Sequence, residues 1–265
     1  MTLASRHRFA IADMREGLRL WRLAWSLAWL DIRLRYRGSM LGPFWLTIST
    51  GVMVASLGVL YSALFKMSLR EYLPFLALSQ VLWAFLATQV SESCAVFTEA
   101  EAVIRSVRMS FFMFAIRILM RNVLVLAHNI CVIVAVFLFL RIWPGANALV
   151  VVLALPLWIA NALALSMLLG GVCARFRDIM PIVNSVMQIA FFLTPVIWKP
   201  EQLGVHARWL PLNPFFDLLE IVRGPLLGEI PPLSIWAGAL GYSAVLCGLS
   251  WGFFLRARGR IAFWM

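Results

Sequence analysis

Two stripes of residues in this 265-residue chain have the chemistry to hold a ligand. Gln80, Trp83, Ala87 and Ser91 recur at helical spacing in one apolar run, and Asn184, Gln188, Phe191 and Pro195 do so in another. Amides and aromatic rings suit a polar, uncharged polymer. Sugar hydroxyls need donors and acceptors, while the axial C–H edges of a sugar ring pack on aromatic faces. The same side chains could equally serve to hydrogen-bond neighbouring helices in apolar surroundings, and the residues alone leave both roles open. Bond-making chemistry has less support. There is no GxxxxGK[ST], HExxH or GxSxG motif and no pair of acids near the middle of an apolar run, and His7, His128 and His206 are scattered. Neither an enzyme nor a metal centre is expected. Cys94, Cys131, Cys173 and Cys247 lie far apart without a CxxC, and all four read as small buried hydrophobes.

Composition determines what must position these stripes. Hydrophobic residues make up 63% of the chain and charged residues 13%, with a mean hydropathy of +0.89. A soluble domain needs roughly 25% charged residues to coat its surface, so lipid must be the solvent for much of this molecule. The net charge of +11 could suggest nucleic acid, but the charges sit in the gaps between apolar runs rather than on one stripe. The first 35 or so residues are rich in Arg and the first apolar run is too long for a signal-peptide core, so no cleavable leader is expected.

A bilayer core of ~30 Å takes about 20 apolar residues as a helix. Six segments qualify, roughly 41–65, 73–98, 122–140, 148–174, 180–198 and 233–255. The expected fold is therefore an all-α membrane protein. An N-terminal arm (1–39) precedes a transmembrane domain (40–255) and a short tail (256–265). Six spans put both termini on one side. Seventeen Lys and Arg fall in the arm, the second and fourth loops and the tail, against six on the other side, so arm and tail are expected on the cytoplasmic side of the membrane. Arg117, Arg121 and His128 share a helical face, with the two arginines expected to snorkel at headgroup level. No unpaired charge marks a mid-membrane ion pathway, which argues against an ion-coupled transporter or a proton relay.

Three segments outside the spans carry pattern. Met14, Leu18, Trp21, Trp25 and Ile32 form one stripe beside the cations Arg15, Arg19, Arg22 and Arg33, which describes a helix lying in the membrane interface. The second loop opens Glu99-Ala-Glu101-Ala-Val-Ile-Arg105, a short helix with acids in its first turn. It continues through the apolar stretch 109–116, which could rest on the membrane or dock into another protein. In the long loop 199–232, Asn213 caps a short helix, Pro214 occupies its first position and Gly224 ends it. Short half-inserted helices are expected there.

Five pieces together resemble a known family. Arg33-Leu-Arg35-Tyr36-Arg37-Gly-Ser39-Met-Leu41-Gly42-Pro43-Phe-Trp45 precedes the first span and Ala174-Arg175-Phe176-Arg177-Asp178-Ile179 follows the fourth. Thr194-Pro195-Val196-Ile197-Trp198 ends the fifth, Asn213-Pro214-Phe215 lies outside, and Arg260-Ile-Ala-Phe-Trp264 closes the chain. The set is similar to the permease subunits of ABC-2-type polysaccharide exporters, those of O-antigen, capsule and teichoic acid, and the tail is most like the O-antigen permeases.

The resemblance implies a homodimer served by two copies of an ABC ATPase, which binds ATP and Mg; this chain would bind no cofactor itself. Arg35, Tyr36, Arg37, Leu41 and Gly42 would form the entrance for a lipid-linked polysaccharide. Gln80, Trp83, Ser91, Asn184, Gln188 and Phe191 would line its channel. Glu99, Glu101, Arg105, Arg177 and Asp178 would couple to the ATPase. The rivals are an ABC-2 exporter of a small hydrophobic drug, which calls for an apolar pocket between helices, and a lipid-linked sugar transferase. The transferase would need acids at a membrane boundary, where only Glu92 and Asp178 stand.

Overall fold

The computed structural model describes residues 3–42 and 44–264; Pro43 of the entrance motif and residues 1, 2 and 265 of the arm and tail lie outside the described residues. Among the described residues the architecture is helical throughout. Helices α1 (Leu3–Arg19) and α2 (Trp21–Arg35) form the arm. They are followed by α3 (Phe44–Leu64), α4 (Leu69–Ala95), the six-residue α5 (Glu101–Ser106) and α6 (Phe111–Leu140). A 3-10 turn (Ala146–Val150) leads into α7 (Val151–Arg175) and α8 (Ile179–Leu193). A second 3-10 segment (Pro200–Leu212) leads into α9 (Pro214–Leu227) and α10 (Leu233–Trp264).

Among the described residues, five stretches are long and apolar enough to cross a membrane: α3, α4, α6, α7 with its preceding turn, and α10. The predicted span at 180–198 is instead the 15-residue α8, about 22 Å at 1.5 Å per residue and short of a ~30 Å core. Thr194, Pro195 and Val196, which would have extended it, are buried in a non-helical turn. Conversely, α6 reaches about 45 Å, longer than a bilayer core. Its first third (Phe112–Asn122) is almost wholly buried in the protein. The apolar stretch 109–116 is thus no free amphipathic loop: apart from Met109 and Ser110 it is the root of α6, packed under the arm.

The spans differ in burial, and this sets their places. In α4, 83% of the apolar window is buried, against 11% in α3, so α4 is the central helix and α3 lies at the edge. α4 packs against α6, α7, α3, α8 and α9, and α10 lies along α7. Gln89 in the last third of α4 accepts from Asn122 Nδ2 (2.9 Å) and donates to Ser166 Oγ (3.1 Å), joining α4, α6 and α7. Of the cysteines, Cys94 and Cys173 are buried, but Cys131 is exposed and Cys247 half-buried; Cys131 sits on the outward apolar face of α6, where lipid can cover it.

The arm is laid on the bundle through small residues. Ala10, Asp13, Gly17, Ala24, Ala28 and Ile32 face inward, while Leu18, Trp21 and Trp25 of the expected stripe remain exposed. Small side chains let the backbones approach, and Gly17 is the closest point. A Cβ there would stand 2.8 Å from Ser110 Oγ and 2.9 Å from the Met113 nitrogen.

Candidate functional site

The end of the bundle that carries α1, α2, α5 and the tail, hereafter the basic end, is held by charge. Asp13, 1% exposed, closes the start of α6 from outside. The backbone nitrogens of Phe111 and Phe112 donate to its carboxylate at 3.4 and 3.1 Å, and so does the Ser110 hydroxyl at 3.0 Å. Ser110 itself caps α6 through the Met113 nitrogen (3.3 Å). A carboxylate at a helix N-terminus satisfies orphan N–H groups and meets the positive end of the dipole. Arg258 of α10 binds the same Asp13 at 3.1 Å, tying arm, α6 and the final helix together.

A second cluster lies one helical step further on. Asp31 of α2 accepts from Arg117 at 2.8 and 2.5 Å and from Arg121 at 3.4 Å. Arg121 also holds Glu92 of α4 at 2.9 Å and approaches Glu99 at 3.6 Å, while Glu92 takes Arg35 at 3.1 Å. Arg117 and Arg121 do not snorkel. The Arg121 side chain is 5% exposed, because a buried guanidinium needs carboxylates around it and three converge there. The same pairing occupies Glu92, which is committed to Arg35 and Arg121 rather than free for chemistry.

The residues expected at the entrance lie beside this cluster. Arg35 ends α2. Tyr36 is half-buried, and Arg37 and Leu41 are exposed. The turn is held by Ser39 Oγ, which accepts from the Gly42 nitrogen at 3.2 Å. Burial raises the Tyr36 phenol above its ordinary range; Arg35 works against the rise and Glu92 adds to it. The phenol is therefore a neutral donor beside the arginines.

The residues expected to couple to an ATPase sit on the same end. Glu101 and Arg105 pair with each other at 2.8 Å along α5, and Glu99 leans on Arg121. Arg177 and Asp178 are exposed in the turn between α7 and α8. Arg175 packs on Trp264 (5.3 Å) and Phe176 (5.0 Å), pinning the tail to this turn.

The two polar stripes meet. Trp83, Ala87 and Ser91 of α4 and Asn184, Gln188 and Phe191 of α8, with Met187 and Phe192, line one open groove of about 650 Å³. Trp83 and Phe191 stand 5.8 Å apart. Gln80 departs from the pattern. It is buried against α3 with its Nε2 3.8 Å from Met53 Sδ, because one helical turn beyond Trp83 the neighbour of α4 is α3 rather than α8.

The opposite end turns on one residue that sequence reasoning counted only as an outside charge. Arg223 in α9 is 1% exposed. It donates to Ser79 Oγ of α4 (2.8 Å) and to the Pro195 carbonyl after α8 (2.5 Å), pairs with Glu220, and lies over the Phe75 ring at 4.3 Å. Asn213 caps α9, accepting from Phe215 (3.0 Å) and Phe216 (3.4 Å). Gly224 does not end the helix; α9 runs on to Leu227 and closes at Gly228 in the left-handed conformation (φ 92°), which glycine adopts at least cost. Deep beside it, Asp217 is fully buried with neither carboxylate oxygen bonded. A Cβ at Gly238 would stand 2.1 Å from its Oδ2.

The site thus combines an arm strapped to a central bundle, a short helix between α4 and α6, and a polar groove beside the short α8. The family model "ABC-2 type transporter" matches residues 22–227, and the chain belongs to that family. It is similar to the O-antigen export system permease protein RfbA of Myxococcus xanthus, 20% identical over 197 residues that cover 73% of this chain and 76% of that protein. It is also similar to the protein of the same name from Klebsiella pneumoniae, 22% identical over 198 residues covering 71% and 74%.

Proposed function

We propose that this chain is the channel-forming permease of an ATP-driven exporter that moves a lipid-linked polysaccharide, O-antigen in the first instance, across the bacterial inner membrane. The observation that carries the proposal is the groove between α4 and α8. It joins aromatic faces to amide and hydroxyl groups and carries no charge along its wall, the lining a neutral sugar polymer needs. The relatives' names point the same way.

In this account the basic end is cytoplasmic, in keeping with the Lys and Arg bias. The groove is open on one side, and a second copy of the chain closes it into a channel. Two copies of an ABC ATPase bind ATP and Mg and press on α5, with Arg177 and Asp178 beside it. Arginines suit the bidentate geometry of phosphate, so Arg35 and Arg37 take the pyrophosphate of the lipid carrier at the entrance. ATP-driven closure of the motor then shifts α5 and the arm and biases the channel between two states. At the periplasmic end α9 and the segment before it form a half-inserted gate.

Export of a small hydrophobic compound is the second function with a specific observation behind it. An apolar cavity of about 640 Å³ lies between α7 and α10, among Ile159, Leu163, Trp251 and Phe254. Deleting the gene separates the two. Loss of glycan export leaves a lipid-linked polysaccharide pool on the cytoplasmic face. A strain whose surface glycan is unchanged but which has become sensitive to hydrophobic compounds overturns the glycan assignment.

A further inference from the structure

Three ion pairs at the basic end form one continuous path. Arg35, in the entrance turn, holds Glu92 Oε1 at 3.1 Å. Glu92 Oε2 accepts from Arg121 Nε at 3.1 Å, with Nη2 within ion-pair distance at 2.9 Å. Arg121 reaches Glu99 at 3.6 Å, two residues before α5. Four side chains from three separate stretches of sequence thus connect the proposed substrate entrance to the proposed contact with the motor.

The path is closed at its centre and open at both ends. The Arg35 side chain is 44% exposed at one end and Glu99 53% at the other, and an exposed ion pair is weak and readily exchanged. At its centre Arg121 is 5% exposed and Glu92 15%, where a guanidinium cannot be left without a counter-charge. Arg121 also divides itself between Glu92, Asp31 and Glu99, so a change in its hold on one carboxylate must be taken up by the others.

We infer that Glu92 and Arg121 form an occupancy relay, through which a phosphate headgroup bound at Arg35 is reported to α5. A phosphate presents more charge than a carboxylate and binds a guanidinium in the same forked geometry, so it competes with Glu92 for Arg35. Glu92, freed from Arg35, falls wholly to Arg121. Drawn toward Glu92, Arg121 loosens its hold on Glu99, and the segment leading into α5 gains freedom to engage the motor. Glu92 and Arg121 touch neither substrate nor nucleotide and are positioning residues. The relay rests on the entrance and coupling roles proposed above, and it adds a reason for the motor to work only when the entrance is occupied.

The test uses the permease with its ATPase in nanodiscs of phosphatidylcholine, titrated with undecaprenyl pyrophosphate. The wild-type complex hydrolyses ATP faster as the lipid pyrophosphate is added. Glu92→Gln keeps the basal rate and still binds the lipid, but the stimulation is lost. Arg121→Lys keeps one charge but loses the fork; it retains the assembled complex and part of the stimulation, and so guards against misfolding of the first variant. Stimulation of Glu92→Gln to the wild-type extent overturns the relay and leaves the glycan function standing. So does an equal response of the wild type to phosphatidylglycerol, which would mean that bulk anionic lipid is what Arg35 reads. A wild-type complex that neither responds to the lipid pyrophosphate nor transports a glycan attached to it overturns the function as well.

Discussion

The two ends of the bundle solve the same problem in different ways. At the basic end, Asp13, Asp31, Glu92 and Glu99 share Arg35, Arg117, Arg121 and Arg258, and several of these side chains are partly open to solvent. At the opposite end a single arginine, Arg223, is closed off from solvent and bound to a hydroxyl, a carbonyl, one carboxylate and a ring. Shared, exchangeable pairs allow helices to shift while staying connected. One fully buried latch has no graded intermediate, because breaking it strands a charge. In the proposed function the first arrangement suits an end that transmits motion, and the second an end that holds a barrier shut.

The largest effect is therefore expected at the latch. Arg223→Ala leaves Glu220, Ser79 and the Pro195 carbonyl without their donor, and the folded protein should lose about 3 kcal/mol or more. Thermal unfolding of the detergent-purified chain would register it, and a shift no larger than that of Arg117→Ala would erase the contrast between the ends. Asp13→Ala comes next. It removes the outside cap of α6 along with the anchor of Arg258, a cost of about 1–2 kcal/mol, and limited proteolysis should then cut first between the arm and α3. Gly17→Leu should release the arm in the same way by steric clash alone, with every charge kept.

Asn213→Ala removes the cap of α9 and should cost about 1 kcal/mol, most of it recovered in Asn213→Asp. The smallest stability change, within about 0.5 kcal/mol, is expected for Glu101→Gln, since an exposed i,i+4 pair contributes little. That variant should nonetheless separate ATP hydrolysis from export, with the protein inserted and the ATPase bound. Unimpaired export would remove α5 from the coupling role.

The long spans were legible in the sequence because an apolar run of 20 residues is a local property. The caps at Ser110 and Asn213 are local as well, although only the second stands out, next to Pro214. The ion clusters were not legible. Arg35 and Glu92 are 57 residues apart and Arg117 and Asp31 86 apart, and nothing in the spacing of either partner points to the other. Helical periodicity put Trp83 and Ser91 on one face of α4 and Asn184 and Gln188 on one face of α8, yet it also enrolled Gln80. A period defines a face but not where along that face one neighbour gives way to the next. The short α8 misled for a related reason: Thr194–Trp198 is apolar enough to continue a span, but its turn packs beneath Arg223.

The most direct test of the whole account is transport itself. Proteoliposomes carrying this chain and its ATPase, inside-out and supplied with a lipid-linked polysaccharide, are given ATP, and the glycan protected from an added glycosidase is measured. Protected glycan is expected to accumulate only with ATP, and far less with Trp83→Ala or Gln188→Ala in the groove. ATP-driven uptake of a hydrophobic dye with no protection of the glycan would contradict it.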